Sequence, residues 1–280
     1  MNIQSGRRLE SIGGASVIGR RPVQQDRYMY STRRGLIVVA DGHGPEGQLV
    51  AQAVKEHFWD KYRQPQIELP DDLTPNFHAI DRSVEHVDGG STATVVRVEP
   101  PMLNSDGSYD RRIVTNYVGD SSAILVATDP DQVRPAEFII PLVKPHTISN
   151  MEEVTRMAQA GSDLCQIRSG VYFSGEDGNG LAISRALGDY AMGRAFIAHP
   201  TRTVVRSRRG RLLIVMSDGV LAPNTTEELA AQAFLGHQNG HTMGQIATRL
   251  AESGAKITGD NATAVVAHLP AIPQPTRGRR

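Results

Sequence analysis

Four times in this chain an apolar run meets an aspartate set beside glycine or asparagine. The runs are IVVADGHG at Asp41, NYVGDS at Asp120, LLIVMSDG at Asp218 and GDNAT at Asp260, where the aspartate opens the run instead of closing it. Buried strands would deliver such carboxylates to one edge of a sheet. Gathered there without partners, they would repel one another and lose solvation, so they need cations among them or wide spacing in water. Oxygen ligands with no cysteine and little histidine favour hard ions, Mg²⁺ or Mn²⁺, over zinc. Glycine after the aspartate lets a backbone carbonyl approach an ion with no Cβ in the way. For any single Asp-Gly the ordinary explanation is a turn; it is the combination and order of the four that points to chemistry.

The ordered series RRPVQQD, VVADGHG, GGSTATVV, VGDSS, AISRALGD, VMSDG and GDNAT, running from about Gly19 to Val266, resembles the motifs of the type 2C metal-dependent protein phosphatases. The resemblance implies a protein serine/threonine phosphatase that hydrolyses phosphoserine and phosphothreonine in proteins, using two Mn²⁺ or Mg²⁺ ions and an activated water. By the same resemblance Asp41 bridges the ions, the Gly42 carbonyl joins it, Asp218 and Asp260 complete the first ion's shell, and Asp26 orders metal-bound waters. Arg21 matches the family's phosphate-gripping arginine, a role that suits a planar, two-pronged donor. His43 matches the histidine that protonates the leaving alkoxide, and an imidazole titrating near neutrality can do so.

Several positions depart from the family pattern. Gln25 stands where many members have a metal-binding glutamate, so the second ion is expected to rest mainly on Asp41, Gly42 and waters. Asp120 and Asp218 match positions linked to a third, weaker ion, but Ala222 stands near the place of a further aspartate, which argues against that ion. KPHTISN departs from the usual order around Asp-His-Lys-Pro, and VGDSS lacks the common arginine. The alternative reading is a pseudophosphatase, a module that binds phosphoproteins without turning them over; Gln25 and Ala222 are its support. A nucleotide-binding kinase or ATPase is excluded by the lack of a G-x-x-x-x-G-K-[ST] loop.

Thirty basic and thirty acidic residues cancel, so no global charge argues for nucleic acid or membrane partners; phosphoprotein substrates are the expected partners. Arg202, Arg206, Arg208, Arg209 and Arg211 read as a solvated hairpin face, with a docking patch as the alternative. The single Cys165 can form no internal disulfide and reads as a small buried residue at a helix exit. With no apolar run of signal-peptide or membrane-span length in the sequence, a cytoplasmic monomer is expected.

Short strands able to carry the aspartates are expected at 15–18, 36–40, 92–98, 113–118, 123–127, 138–142, 211–216 and 262–268, bounded by Gly, Pro, Asp or Asn. Apolar residues at Val50, Val54, Phe58 and Tyr62 mark a helix over 48–63, and Phe77, Ile80, Val84 and Val87 mark a second. Further helices are expected at 151–160, capped by Ser149, at 226–235, capped by Thr225, and at 243–252, capped by Thr242. This mixture predicts an α+β fold, a central antiparallel β-sandwich of two sheets flanked by pairs of antiparallel helices in α-β-β-α layers. One catalytic domain over 1–270 is expected, with a basic, Pro/Arg-rich flexible tail at 271–280. The stretch 162–180 reads as a mobile, flap-like loop.

Overall fold

The computed structural model describes residue 9 and residues 11–275, apart from 65–66, 168–169, 177 and 223. Two antiparallel sheets stack face to face. The first runs Ser11–Val17, Ala262–Leu269, Arg211–Met216, Ser122–Ala127, Ile139–Pro141. The second runs Thr201–Ser207, Tyr109–Val118, Ala93–Val98, Leu36–Ala40, Arg27–Ser31, with the short strand Met102–Leu103 paired to Tyr109–Val118.

Both faces of the central strands are covered, which is why they read as unbroken apolar runs. Side chains alternate across a strand, so Leu36, Val38 and Ala40 enter a core beneath helices while Ile37 and Val39 enter the core between the sheets. On the first sheet Leu212, Ile214 and Met216 face a second helix layer, and Leu213 and Val215 face the sandwich interior. Three apolar layers therefore hold four layers of structure together, in the α-β-β-α order that the sequence predicts.

Helix Gly47–Tyr62 buries Val50, Val54, Phe58 and Tyr62 on the second sheet, and Phe58 meets Phe77 of helix Thr74–Ser83 edge-on at 6.3 Å. That second helix starts earlier and ends sooner than its apolar spacing suggests; Val84 and Val87 pack on the same core from the turn that follows. Helices Thr226–Gln238 and Met243–Thr258 cover the first sheet, each opened by a complete capping box at Thr225 and Thr242. Helix Met151–Gln159 is capped by Asn150, not Ser149: the Asn150 side chain accepts from the Glu152 N–H, while Ser149 bonds Thr147.

Several local readings meet a different arrangement in the structure. Thr201–Ser207 is a strand of the second sheet, and Arg211–Met216 belongs to the first, so the arginines between them do not decorate a hairpin. Arg206 pairs with Asp110 at 3.0 Å, and Arg211 is buried, donating to the Glu137 carbonyl at 2.5 Å, so the five do not form one docking face. The flap-like stretch holds a three-stranded sheet, Leu164–Ile167, Gly170–Ser174 and Gly180–Leu181, and Cys165 is a half-buried strand residue there. The chain also stays on the domain beyond 270: Ile272 is buried, its N–H donates to Arg208, and Gln274 bonds both backbone groups of Tyr109. The arginines of the expected tail, at 277, 279 and 280, lie outside the described residues. Among the described residues no helix is long and apolar enough to cross a membrane.

Candidate active site

Antiparallel register gathers the acidic turns. Ala40 pairs with Arg27, Val118 with Ala93, Met216 with Ser122, and Ala262 with Val17. The C-terminal ends of four strands and the N-terminal ends of their neighbours therefore meet at one edge of the sandwich, where the aspartates sit. Asp41, Asp120, Asp218 and Asp260 line a single cavity of about 220 Å³, with Arg21, Gln25, Gly42 and His43. Asp26 is buried close enough to this group that its charge and that of Asp218 are felt at Asp41.

Neighbouring turns hold these carboxylates in place. The Asp41 N–H donates to Thr92 Oγ1 at 3.2 Å, its carbonyl accepts from the Thr92 N–H at 2.9 Å, and Thr92 Oγ1 meets Ser121 Oγ at 2.6 Å. Ser217 Oγ donates to Asp26 Oδ2 at 2.8 Å while accepting the Thr263 N–H. Asn261 locks the first and last turns together: its Oδ1 accepts from the Gln25 N–H at 2.7 Å and its Nδ2 donates to the Ile18 carbonyl. The Gln25 side chain donates to the Gly44 carbonyl at 2.8 Å and to Gln48, bonds a glutamate carboxylate could not give. Gly42 has a steric reason that its place beside the aspartate does not reveal: a Cβ there would lie 2.4 Å from the Gly47 carbonyl oxygen, where the first helix begins.

Electrostatically the cavity is overloaded with negative charge. Burial, reinforced by Asp26, Asp218 and Asp120, pushes the Asp41 carboxyl well above the carboxylate range. Burial lifts Asp26 to about 6 against hydrogen bonds that oppose it, and burial with the Asp218 charge lifts Asp120 to about 7. Asp218 is raised as well, by burial and then by Asp260. Among the described residues Arg21 is the only lysine or arginine lining the cavity, and it already pairs with Asp260 at 2.5 Å. Among the described residues Asp26 Oδ1 is buried with no hydrogen-bond partner. Hard cations fit such a donor set, which is all oxygen, under-neutralised and partly orphaned. Among the described residues no three His, Cys, Asp or Glu side chains close into a ready-made cage. Mg²⁺-like ions commonly take only one or two carboxylates and keep several waters, so a cavity lined by spread carboxylates suits them.

One residue of the site was given no role in the sequence reading. Asp189, at the end of AISRALGD, is buried and its Oδ2 lies 2.7 Å from His43 Nε2. It is also the only non-glycine among the described residues in the left-handed region, with φ 55°. Burial alone would lower the His43 pKa, but the Asp189 bond and the charges of Asp189, Asp120 and Asp218 outweigh it and raise the net value. The available signal was the Gly-Asp that closes AISRALGD; what it lacked was any indication of the partner, 146 residues away.

A model of the family described as Protein phosphatase 2C matches residues 31–262. Over 193 residues the chain is 30% identical to a rice protein (Oryza sativa subsp. japonica) described as probable protein phosphatase 2C 8; the match takes in 64% of this chain and only 42% of the rice protein. The serine-threonine phosphatase 2C of Toxoplasma gondii superposes with a TM-score of 0.71 at 16% identity, over 92% of this chain and 94% of that one. A C. elegans sex determining protein gives 0.70 at 22% identity, over 94% of this chain and 65% of that one. The catalytic domain of the serine threonine protein phosphatase PstP, solved in complex with two manganese ions, gives 0.59 at 22% identity, over 93% and 99%. At these identities the structural likenesses show the fold.

Proposed function

The chain belongs to the protein phosphatase 2C family, and on that premise we propose that it hydrolyses phosphoserine and phosphothreonine esters of proteins with two Mn²⁺ or Mg²⁺ ions. The observation that carries the proposal is the convergence of Asp41, Asp120, Asp218 and Asp260 on one cavity whose only arginine is already engaged. Asp41, the Gly42 carbonyl, Asp218 and Asp260 would hold the ions, and the orphaned Asp26 oxygen would order their waters. When bound, the ions supply Lewis acidity and make a water molecule acidic enough to serve as nucleophile near neutral pH.

The chain's own side chains divide the remaining work. Arg21 now donates to Asp260; once Asp260 serves as a ligand, the guanidinium keeps its fork of donors for phosphoryl oxygens. His43 would protonate the departing serine or threonine oxygen. Because Nε2 faces Asp189, Nδ1 is the nitrogen left to pass a proton on, and Asp189 is a positioning residue that also favours the charged ring. The Asp189 carboxylate thus acts through His43 and not on substrate.

Hydrolysis of a phosphothreonine peptide is expected to require Mn²⁺ or Mg²⁺ and to stop with chelator. Hydrolysis at full rate in chelator would remove the proposal. Loss of general-acid help should depend on the leaving group, since an alkoxide needs a proton and a nitrophenolate does not. In Asp189→Asn, kcat on a phosphothreonine peptide is expected to fall roughly a hundredfold, while kcat on p-nitrophenyl phosphate falls far less. Equal losses on the two substrates would count against the role of the His43–Asp189 pair.

A further inference from the structure

His43, Gly44 and Leu181 border the aspartate cavity and also a second cleft, of about 440 Å³. One wall of this cleft is the turn 85–89 that follows helix Thr74–Ser83; the other runs from Asn179 to Met192. Its charge differs from that of a phosphate site. Glu85 and Asp88 stand exposed on the turn; Asp189 on the opposite side is paired with His43, His86 also lines the cleft, and among the described residues neither lysine nor arginine does. The Arg82 charge is felt at Tyr190 on this wall. The Tyr190 ring is half-exposed and held in place, its hydroxyl donating to Asp81 Oδ2 at 2.9 Å while Asp81 Oδ1 accepts the Gly188 N–H at 2.8 Å.

Covalent geometry says what must lie here if His43 protonates the leaving oxygen. That oxygen is joined through Cβ to the Cα of the phosphorylated residue, so the substrate's backbone leaves the cavity on the His43 side. We infer that this cleft receives the polypeptide next to the phosphorylated side chain and selects a lysine or arginine there. The inference rests on the phosphatase reading and deepens it into a substrate class. Glu85 and Asp88 supply opposite charge, and the face of Tyr190 supplies a platform on which a guanidinium or ammonium can stack. Replacing the Asp88 side chain keeps the bonds that fix this turn to Glu46, because they use the Asp88 backbone.

Two phosphothreonine peptides that differ only in having lysine and arginine or glutamate and aspartate beside the phosphothreonine test this. The wild-type chain with Mn²⁺ is expected to favour the basic peptide in kcat/KM by about tenfold or more, mainly through KM. In the Glu85→Lys/Asp88→Lys double variant the preference is expected to vanish or invert. The ratio of the two peptides cancels any loss of active protein, so a poorly folding variant still reports. A second variant, Tyr190→Leu, is expected to lower kcat/KM for the basic peptide alone. Equal rates on the two peptides in the wild-type chain, or a ratio unmoved by charge reversal, would overturn the inference while leaving the phosphatase reading in place. Failure to hydrolyse either peptide with Mn²⁺ would remove that reading itself, and the inference with it.

Discussion

Asp41→Asn is expected to lower phosphopeptide hydrolysis by roughly a thousandfold or more and, in the presence of chelator, to melt at a higher temperature than the wild-type chain. The two effects have one cause. Asp41 lies half-buried among Asp26, Asp120 and Asp218, a setting that already resists its ionisation. On the proposed reading the charge would hold the cations; without them it is a repulsive charge that the fold must bear. A carboxyl whose folded pKa is raised binds more protons folded than unfolded. Its stabilisation is complete below the unfolded value, about 4 for aspartate, and is lost as pH rises through the folded one. Asp26 at about 6 and Asp120 at about 7 place that loss between mildly acidic and neutral pH. Melts of the chelated wild-type chain should therefore fall from pH 5 to pH 8, and Asp41→Asn should flatten the fall. Adding Mn²⁺ should raise the wild-type melt at pH 8 and leave the variant nearly unmoved. A variant that melts lower than wild type in chelator, or that gains as much from Mn²⁺, would contradict the assignment.

Gly219→Ala is expected to destabilise the chain by about 3 kcal/mol or more, the upper end for overpacking a tight interior, and to abolish activity with it. No unusual φ is involved. A Cβ at Gly219 would sit 1.9 Å from the Asn261 carbonyl oxygen, and on the opposite side a Cβ at Gly254 would sit 2.4 Å from the Gly219 carbonyl oxygen. The turn carrying Asp218 is thus wedged between the turn carrying Asp260 and helix Met243–Thr258. Asn261 cannot give way freely, because its side chain bonds both Ile18 and Gln25. Pushing it outward displaces Asp260 and the approach to Asp26 together. Denaturant midpoints read the stability and the phosphopeptide assay reads the site; a midpoint within error of wild type would show that the wedge relaxes cheaply. The sequence reading saw Gly219 only as half of an Asp-Gly turn, since the atom it must avoid belongs to a residue 42 positions away.

The chain's alternation of buried runs with Gly, Pro, Asp and Asn boundaries was enough to place most central strands, because a strand covered on both faces must be apolar throughout. The same applies to the cap residues Thr225 and Thr242, whose bonds are local. Thr201–Ser207 escaped because it alternates: Thr201, Thr203 and Val205 are half-buried while Arg202, Val204 and Arg206 face solvent. That period-2 pattern of an edge strand was hidden by attention to its arginines. The helix cap moved from Ser149 to Asn150 for a similar reason, since both residues can cap and only the backbone path chooses between them.

Sequence by itself determined the family resemblance, the layered α+β architecture and the set of aspartates at strand ends, all of which follow from residue type and short-range spacing. Tertiary structure alone decided that Asp189 faces His43, that Gln25 braces the Gly44 loop, that Arg21 rests on Asp260, and that an acidic cleft opens beyond the histidine. Those facts depend on distances between residues far apart in the chain. Coulomb and desolvation energies vary with such distances and with burial, and neither quantity is carried by the order of the letters.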